Sequence, residues 1–103
     1  MTTTYESYTA KIEAAPAALA EFYATWCPHC QKMMPVVAQV RELLEGRAVV
    51  AQYDIDRDQE LAAKVEVQSI PTFIVYRRGE EVWRHTGEID GEALLARVEA
   101  ALR

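Results

Sequence analysis

Short apolar runs alternate along this chain with stretches of helical period, and that alternation constrains the fold more than any other feature. Ala18 to Ala24 reads as a strand: Leu19, Phe22 and Tyr23 are bulky, the rest small, and only Glu21 is charged. From Pro28 to about Glu45, Cys30, Met33, Val37, Val40 and Leu44 recur every three or four positions and form one apolar helical stripe. Pro28 suits a first helical turn, Pro35 should kink the helix without ending it, and Gly46 is its stop. Ala48 to Ile55 is a second apolar run, and Asp56 with Gln59 resembles a capping box for a short helix carrying Leu61, Ala62 and Val65. Thr72 to Arg77 is a strand, and Arg78-Gly79-Glu80 is a tight turn into a partner strand over Glu81 to His85. Gly87 opens a loop, and Asp90 caps a last helix with Leu94, Leu95, Val98 and Leu102 facing inward. Ahead of all this, Tyr5 to Tyr8 reads as a short edge strand, and Thr9 as the cap of a helix through Glu13 that Pro16 ends.

The expected order is β-α-β-α-β-α-β-β-α, an α/β fold with a mixed central β-sheet flanked by helices on both faces. At 103 residues this is the length of a single domain spanning residues 1–103, able to bury a core without disulfides or a metal. The net charge of −5 is a poor match to nucleic acid or an anionic membrane surface. No apolar run exceeds four residues, so no membrane span is expected. Met1 to Glu6 has neither a basic segment nor an apolar one, which points to a cytoplasmic protein. A periplasmic protein whose leader has been removed would read the same way.

The chemistry rests on two cysteines, Cys27 and Cys30, in Trp26-Cys27-Pro28-His29-Cys30 at the junction of a strand and a helix. A helix start presents unpaired N–H groups and the positive end of the helix dipole, so a thiolate there is stabilised. The i, i+3 spacing places Cys30 one turn on along the same face, where a disulfide closes with little backbone movement. Cys27, expected at an exposed tip, would attack a partner disulfide, and Cys30 would resolve the mixed disulfide. His29, between them, could give a hydrogen bond or positive charge to the Cys27 thiolate, which stabilises the reduced form and makes the pair a stronger oxidant. Two other readings stay open: buried inert thiols, and a zinc site bridging two copies of the chain, because His29 is the one nearby extra ligand and His85 is distant in sequence. A Cys-x-x-Cys within a βαβ pattern favours redox chemistry, with no metal and no cofactor other than the cysteine pair itself.

Taken together, these segments resemble the thioredoxin family over nearly the whole chain. Glu21-Phe22-Tyr23-Ala24-Thr25-Trp26-Cys27 is similar to the family's acidic-aromatic-aromatic-Ala-x-Trp-Cys strand and turn. Pro35 stands where the family has its helix kink, Ile70-Pro71-Thr72 matches its cis-proline segment, and Gly79 and Gly87 fall at its hairpin and late-loop glycines. The resemblance implies a thiol–disulfide oxidoreductase with Cys27 as nucleophile and Cys30 as resolving thiol. It implies a cis Pro71 against the disulfide, with Ile70 offering backbone groups to an extended substrate strand. Trp26 would be a packing wall beside the pair. Glu21 corresponds to the family's buried aspartate, which exchanges protons with the resolving cysteine; here the acid is one methylene longer, and Gln52 replaces the accompanying lysine. The implied partners are disulfide-containing proteins and a thioredoxin-reductase-type electron donor, with the protein a monomer.

One departure bears on direction. Thioredoxins usually carry Gly-Pro between the cysteines, whereas Pro28-His29 resembles the periplasmic disulfide-forming oxidase. The two couples lie at about −270 and about −120 mV, a gap on the order of 7 kcal/mol. That oxidase has a helical insertion before its cis-proline, for which residues 56–70 leave no room. The expectation is a thioredoxin-like reductant with an unusually oxidising couple. The alternatives are an oxidase or isomerase of an exported compartment, or a binding module with regulatory or metal-bridging cysteines.

Overall fold

The first of the buried apolar runs is the centre of the molecule. In a computed structural model, which describes residues 4–103, β1 (Ala17–Tyr23) is buried along all but its last residue. It pairs in parallel with β2 (Val49–Asp54) on one side and antiparallel with β3 (Thr72–Arg77) on the other. β4 (Glu80–Thr86) pairs antiparallel with β3, giving one sheet in the order β2-β1-β3-β4. β1 therefore needs apolar side chains on both faces, which is why it shows no alternation.

Alternation reappears in what each side chain packs against. Ala17 and Leu19, with Phe73 and Val75, face Met33, Val37, Val40 and Leu44 of α2 (Pro28–Leu44) and Leu94 and Val98 of α4 (Gly91–Ala101). Ala18, Ala20 and Phe22, with Ile74 and Tyr76, face Tyr8 and Ile12 of α1 (Thr4–Glu13) and Leu61 and Ala62 of α3 (Gln59–Lys64). Glu21 is an odd-numbered member of β1, so its carboxylate is committed to the α2 side.

The α2 stripe is as expected from its spacing, with Cys30, Met33, Val37, Val40 and Leu44 all buried, Pro28 in the first turn and Pro35 inside the helix. The hairpin between β3 and β4 turns on Arg78 and Gly79, both at positive φ (51° and 84°), the backbone a two-residue hairpin needs. A Cβ at Gly79 would lie 2.7 Å from Glu13 Cγ, so this turn also packs against the end of α1.

Two expectations are corrected. Tyr5 to Tyr8 is not an edge strand; it is the first half of α1, and the observed order is α-β-α-β-α-β-β-α. Tyr8 and Ile12 are the buried pair of α1, and their i, i+4 spacing puts both on one helical face toward the sheet. Tyr8 is held there by a 2.6 Å hydrogen bond between its hydroxyl and that of Tyr76, and its ring meets Phe22 and Tyr53. The short helix α3 begins at Gln59, with Asp58 rather than Asp56 before it. Asp56 is occupied elsewhere.

Candidate active site

Three segments converge at the C-terminal end of β1: the β1–α2 junction, the Ile70–Pro71 segment ahead of β3, and the loop after β4. Cys27 is the residue before α2, in extended backbone (φ −86°, ψ 116°). That conformation turns Sγ back over the first turn, where it accepts the Cys30 N–H at 3.3 Å. A helix N-terminus leaves such N–H groups free, so negative charge on this sulfur meets a donor and the helix dipole together. The expected exposed tip is not observed: Cys27 is 4% exposed. It packs with Ala24 and Cys30, with Tyr23, Ile55 and Ile70 against them, because capping the helix draws the side chain inward. Both cysteines are free thiols.

Cys30 lies one turn deeper and is 1% exposed. Burial first, then the hydrogen bond with Cys27, pushes its thiol up to about 12, and negative charge on Cys27 or Glu21 pushes the same way. Cys30 therefore keeps its proton at neutral pH until something removes it.

Glu21 is fully buried on the α2 face of β1. It stands opposite Gln52 in the parallel register, and Gln52 Nε2 donates to its Oε1 at 2.8 Å. Oε2 is buried and has no hydrogen-bond partner among the described residues. Burial raises the Glu21 carboxyl above the ordinary carboxylate range, only partly opposed by the Gln52 hydrogen bond and the Arg41 charge. Gln52 donates a hydrogen bond without bringing a charge, so it does less to hold Glu21 ionised than a lysine would.

The Ile70–Pro71 peptide bond is cis. Ile70 packs against the cysteine cluster, and the Pro71 carbonyl accepts the Gly87 N–H at 2.8 Å, which ties the loop after β4 to this segment. Gly87 is at φ 103°, a conformation that favours glycine.

The rim carries Trp26, 64% exposed beside Cys27. Its indole Nε1–H donates to Asp56 Oδ2 at 2.7 Å, while the Asp56 N–H donates to Asp54 Oδ1. This is where the expected capping carboxylate is used. His29, exposed on the first turn of α2, places Nδ1 2.5 Å from Glu88 Oε2. Glu88 follows Gly87, and His29, with Lys32 nearby, holds its carboxyl below the ordinary carboxylate range.

Of the residues singled out from sequence, the structure gathers Cys27, Cys30, Ile70 and Pro71 at one end of β1, with Glu21 beneath and Trp26, Pro28 and His29 on the rim. Sequence reasoning missed Glu88 and the role of Asp56. Glu88 had one indirect signal, a charge immediately after a late-loop glycine. Among the described residues, no group of three or more His, Cys, Asp or Glu side chains is placed to hold a metal ion. No helix among them is long and apolar enough to cross a membrane.

A four-stranded mixed sheet with helices on both faces and a Cys-x-x-Cys opening the helix after its central strand is the thioredoxin fold. The thioredoxin family model matches residues 1–100, and the chain belongs to that family. It is 38% identical over 84 residues to a thioredoxin of Staphylococcus epidermidis, covering 82% of this chain and 80% of that one. It is 33% identical over 84 residues to the chloroplastic thioredoxin Y of Oryza sativa subsp. japonica, covering 82% of this chain. The chain spans about half the length of the chloroplastic relatives it matches. Among solved structures, a mutant thioredoxin from Halobacterium salinarum NRC-1 superposes with a TM-score of 0.85 at 33% identity, covering 93% of this chain and 83% of that one.

Proposed function

We propose that this protein is a thiol–disulfide oxidoreductase that reduces protein disulfides as a single thioredoxin-like domain over residues 1–103. The observation that carries the reading is the pairing of Cys27, whose sulfur caps α2, with Cys30, buried one turn below. The Cys27 thiolate attacks one sulfur of a substrate disulfide, forming a mixed disulfide and releasing one substrate thiolate. Cys30 then gives up its proton and attacks Cys27 Sγ. The Cys27–Cys30 disulfide forms, and the second substrate thiolate leaves. Two electrons pass to the substrate, and its two sulfurs take up two protons.

Glu21 is the acceptor for the Cys30 proton, a role supported by its burial, its raised carboxyl and its free Oε2. Ile70 and Pro71 receive the substrate as an added strand, and Trp26 walls the site. A thioredoxin-reductase-type donor returns the electrons, and the protein acts as a cytoplasmic monomer. The Pro28-His29 dipeptide supports a couple more oxidising than that of relatives with Gly-Pro. It also favours a second reading, oxidation or isomerisation of exported proteins.

The test is insulin reduction with dithiothreitol or a reductase as electron source. Turnover is expected, and Cys27→Ser should abolish it. No turnover, together with zinc co-purifying at half-stoichiometry, would instead make the cysteines a metal bridge between two chains. The equilibrium constant with glutathione separates the two redox directions: a value near those of typical thioredoxins fits the reductant, and a far more oxidising one fits the oxidase.

A further inference from the structure

The two histidines of this chain are distant in sequence, yet both end on one residue. His29 Nδ1 lies 2.5 Å from Glu88 Oε2, and His85 Nε2 lies 3.1 Å from the Glu88 carbonyl oxygen. A backbone carbonyl can only accept, and an ionised carboxylate can only accept, so both of these ring nitrogens carry hydrogen. The Glu88 carboxyl is held in its ionised form by His29 first and Lys32 second.

Glu88 is itself built into place. The preceding Gly87 donates its N–H to Pro71 O. His85 holds the Glu88 carbonyl while its ring stacks on Trp83 at 5.8 Å with the planes 8° apart, and the Arg97 guanidinium lies 5.3 Å from the Trp83 ring. A chain of contacts thus runs from α4 through β4 to the rim of the cysteine site.

His29 stands two residues past Cys27, on the turn whose N–H groups face that sulfur. An imidazole free to turn could offer Nδ1–H, or a positive charge, to the Cys27 thiolate and so stabilise the reduced pair. Glu88 accepts that hydrogen bond instead, so Nδ1–H is directed to the carboxylate and not to the sulfur. We propose that Glu88 is a positioning residue that withholds His29 from Cys27, keeping the couple more reducing than the Pro28-His29 dipeptide would otherwise make it. The proposal rests on the oxidoreductase reading above.

The exchange that reads this out is balanced. The Cys27–Cys30 disulfide and two glutathione thiols give two protein thiols and one glutathione disulfide, with two electrons and two protons passing to the protein sulfurs. Its equilibrium constant is measured for the wild type, Glu88→Gln, His29→Ala and the double variant. Glu88→Gln should raise the constant for reduction by glutathione about threefold, the scale of one exposed ion pair. In the His29→Ala background the same substitution should change nothing. In Glu88→Ala, which removes the acceptor altogether, nitrogen chemical shifts of the His29 ring should lose their fixed Nδ1–H pattern, a change that a merely structural role of the loop would not produce. An unchanged constant in Glu88→Gln overturns the proposal. So does an equal shift with His29 absent, which would make the Glu88 charge act on the sulfur directly. A wild type that does not equilibrate with glutathione at all removes the oxidoreductase reading itself; a wild type that does, with Glu88→Gln indistinguishable from it, removes only the role of Glu88.

Discussion

Glu21 lies beneath the cysteine site in the sheet, and Glu88 stands on its rim against His29. Glu21 has lost all contact with solvent and received one neutral donor in return. Glu88 has an imidazole partner and a nearby lysine at the surface. Burial pushes the first carboxyl up, and its partners pull the second down. Identical side chains are thereby biased in opposite senses: the buried one toward holding its proton, and the surface one toward staying charged. What distinguishes them is burial in the one case and a hydrogen-bonding imidazole partner in the other.

The largest expected effect breaks the relation between the buried region and the sulfurs. Cys30→Ser removes the resolving thiol, so mixed disulfides with substrate should accumulate, with insulin turnover falling to background. Non-reducing electrophoresis after substrate addition checks this, and a variant that still turns over would make Cys30 a bystander.

Glu21→Gln is expected to slow the resolving step about tenfold, within the usual reach of one acid–base group. It should also change stability in a pH-dependent way. Because the folded carboxyl is raised above its unfolded value, the folded state binds the extra proton. The resulting stability is complete below the ordinary carboxylate range and is lost as pH rises through the folded value. Glu21→Gln abolishes that loss, so its stability should fall less than the wild type's as pH rises above the ordinary carboxylate range. Urea titrations across that range decide it, and parallel curves for the two proteins would show that Glu21 does not titrate as its burial requires.

Asp56→Asn tests the rim without touching the sulfurs. It weakens the acceptor that holds the Trp26 indole, and KM for insulin should rise about threefold with kcat unchanged. A kcat effect of the same size would place Trp26 in the chemistry rather than in the wall. The smallest effect should come from Glu88→Gln on stability. Its carboxyl is lowered on folding, so its contribution is present above the ordinary carboxylate range and fades as pH falls. The slope is opposite in sign to that of Glu21, and at this exposed position it should be visible only in low salt.

The parts of this arrangement that were legible in the sequence are those with a local period. The α2 register could be read residue by residue from Cys30 to Leu44 because one helical face must be apolar to pack on the sheet. The β3–β4 hairpin could be read from Gly79, since one of its two central positions has a residue at ease with positive φ. Tyr5 to Tyr8 is illegible because four residues are too few to separate a period of two from one of 3.6, and the decisive partner, Ile12, lies four residues past Tyr8. A position at a helix start suggests exposure for Cys27, whereas the cap itself draws Sγ in. Glu88, His85 and Asp56 take their meaning from contacts across the fold, and no periodicity links position 29 to 88 or 26 to 56.

The central position of β1 has a consequence for the order in which the molecule can be made. β1 leaves the ribosome early, but its register partners on one side are late: Ala17 waits for Arg77, and Phe22 for Thr72. Loop-closure entropy must be met before that pairing returns anything, so β1–β3 is a non-local contact that forms late. Until Thr72–Arg77 has been synthesised, the nascent chain carries both thiols with neither Pro71 nor Glu88 opposite them. The cysteines are made before Pro71 and Glu88, so the redox site is complete only once the chain past β4 has been made.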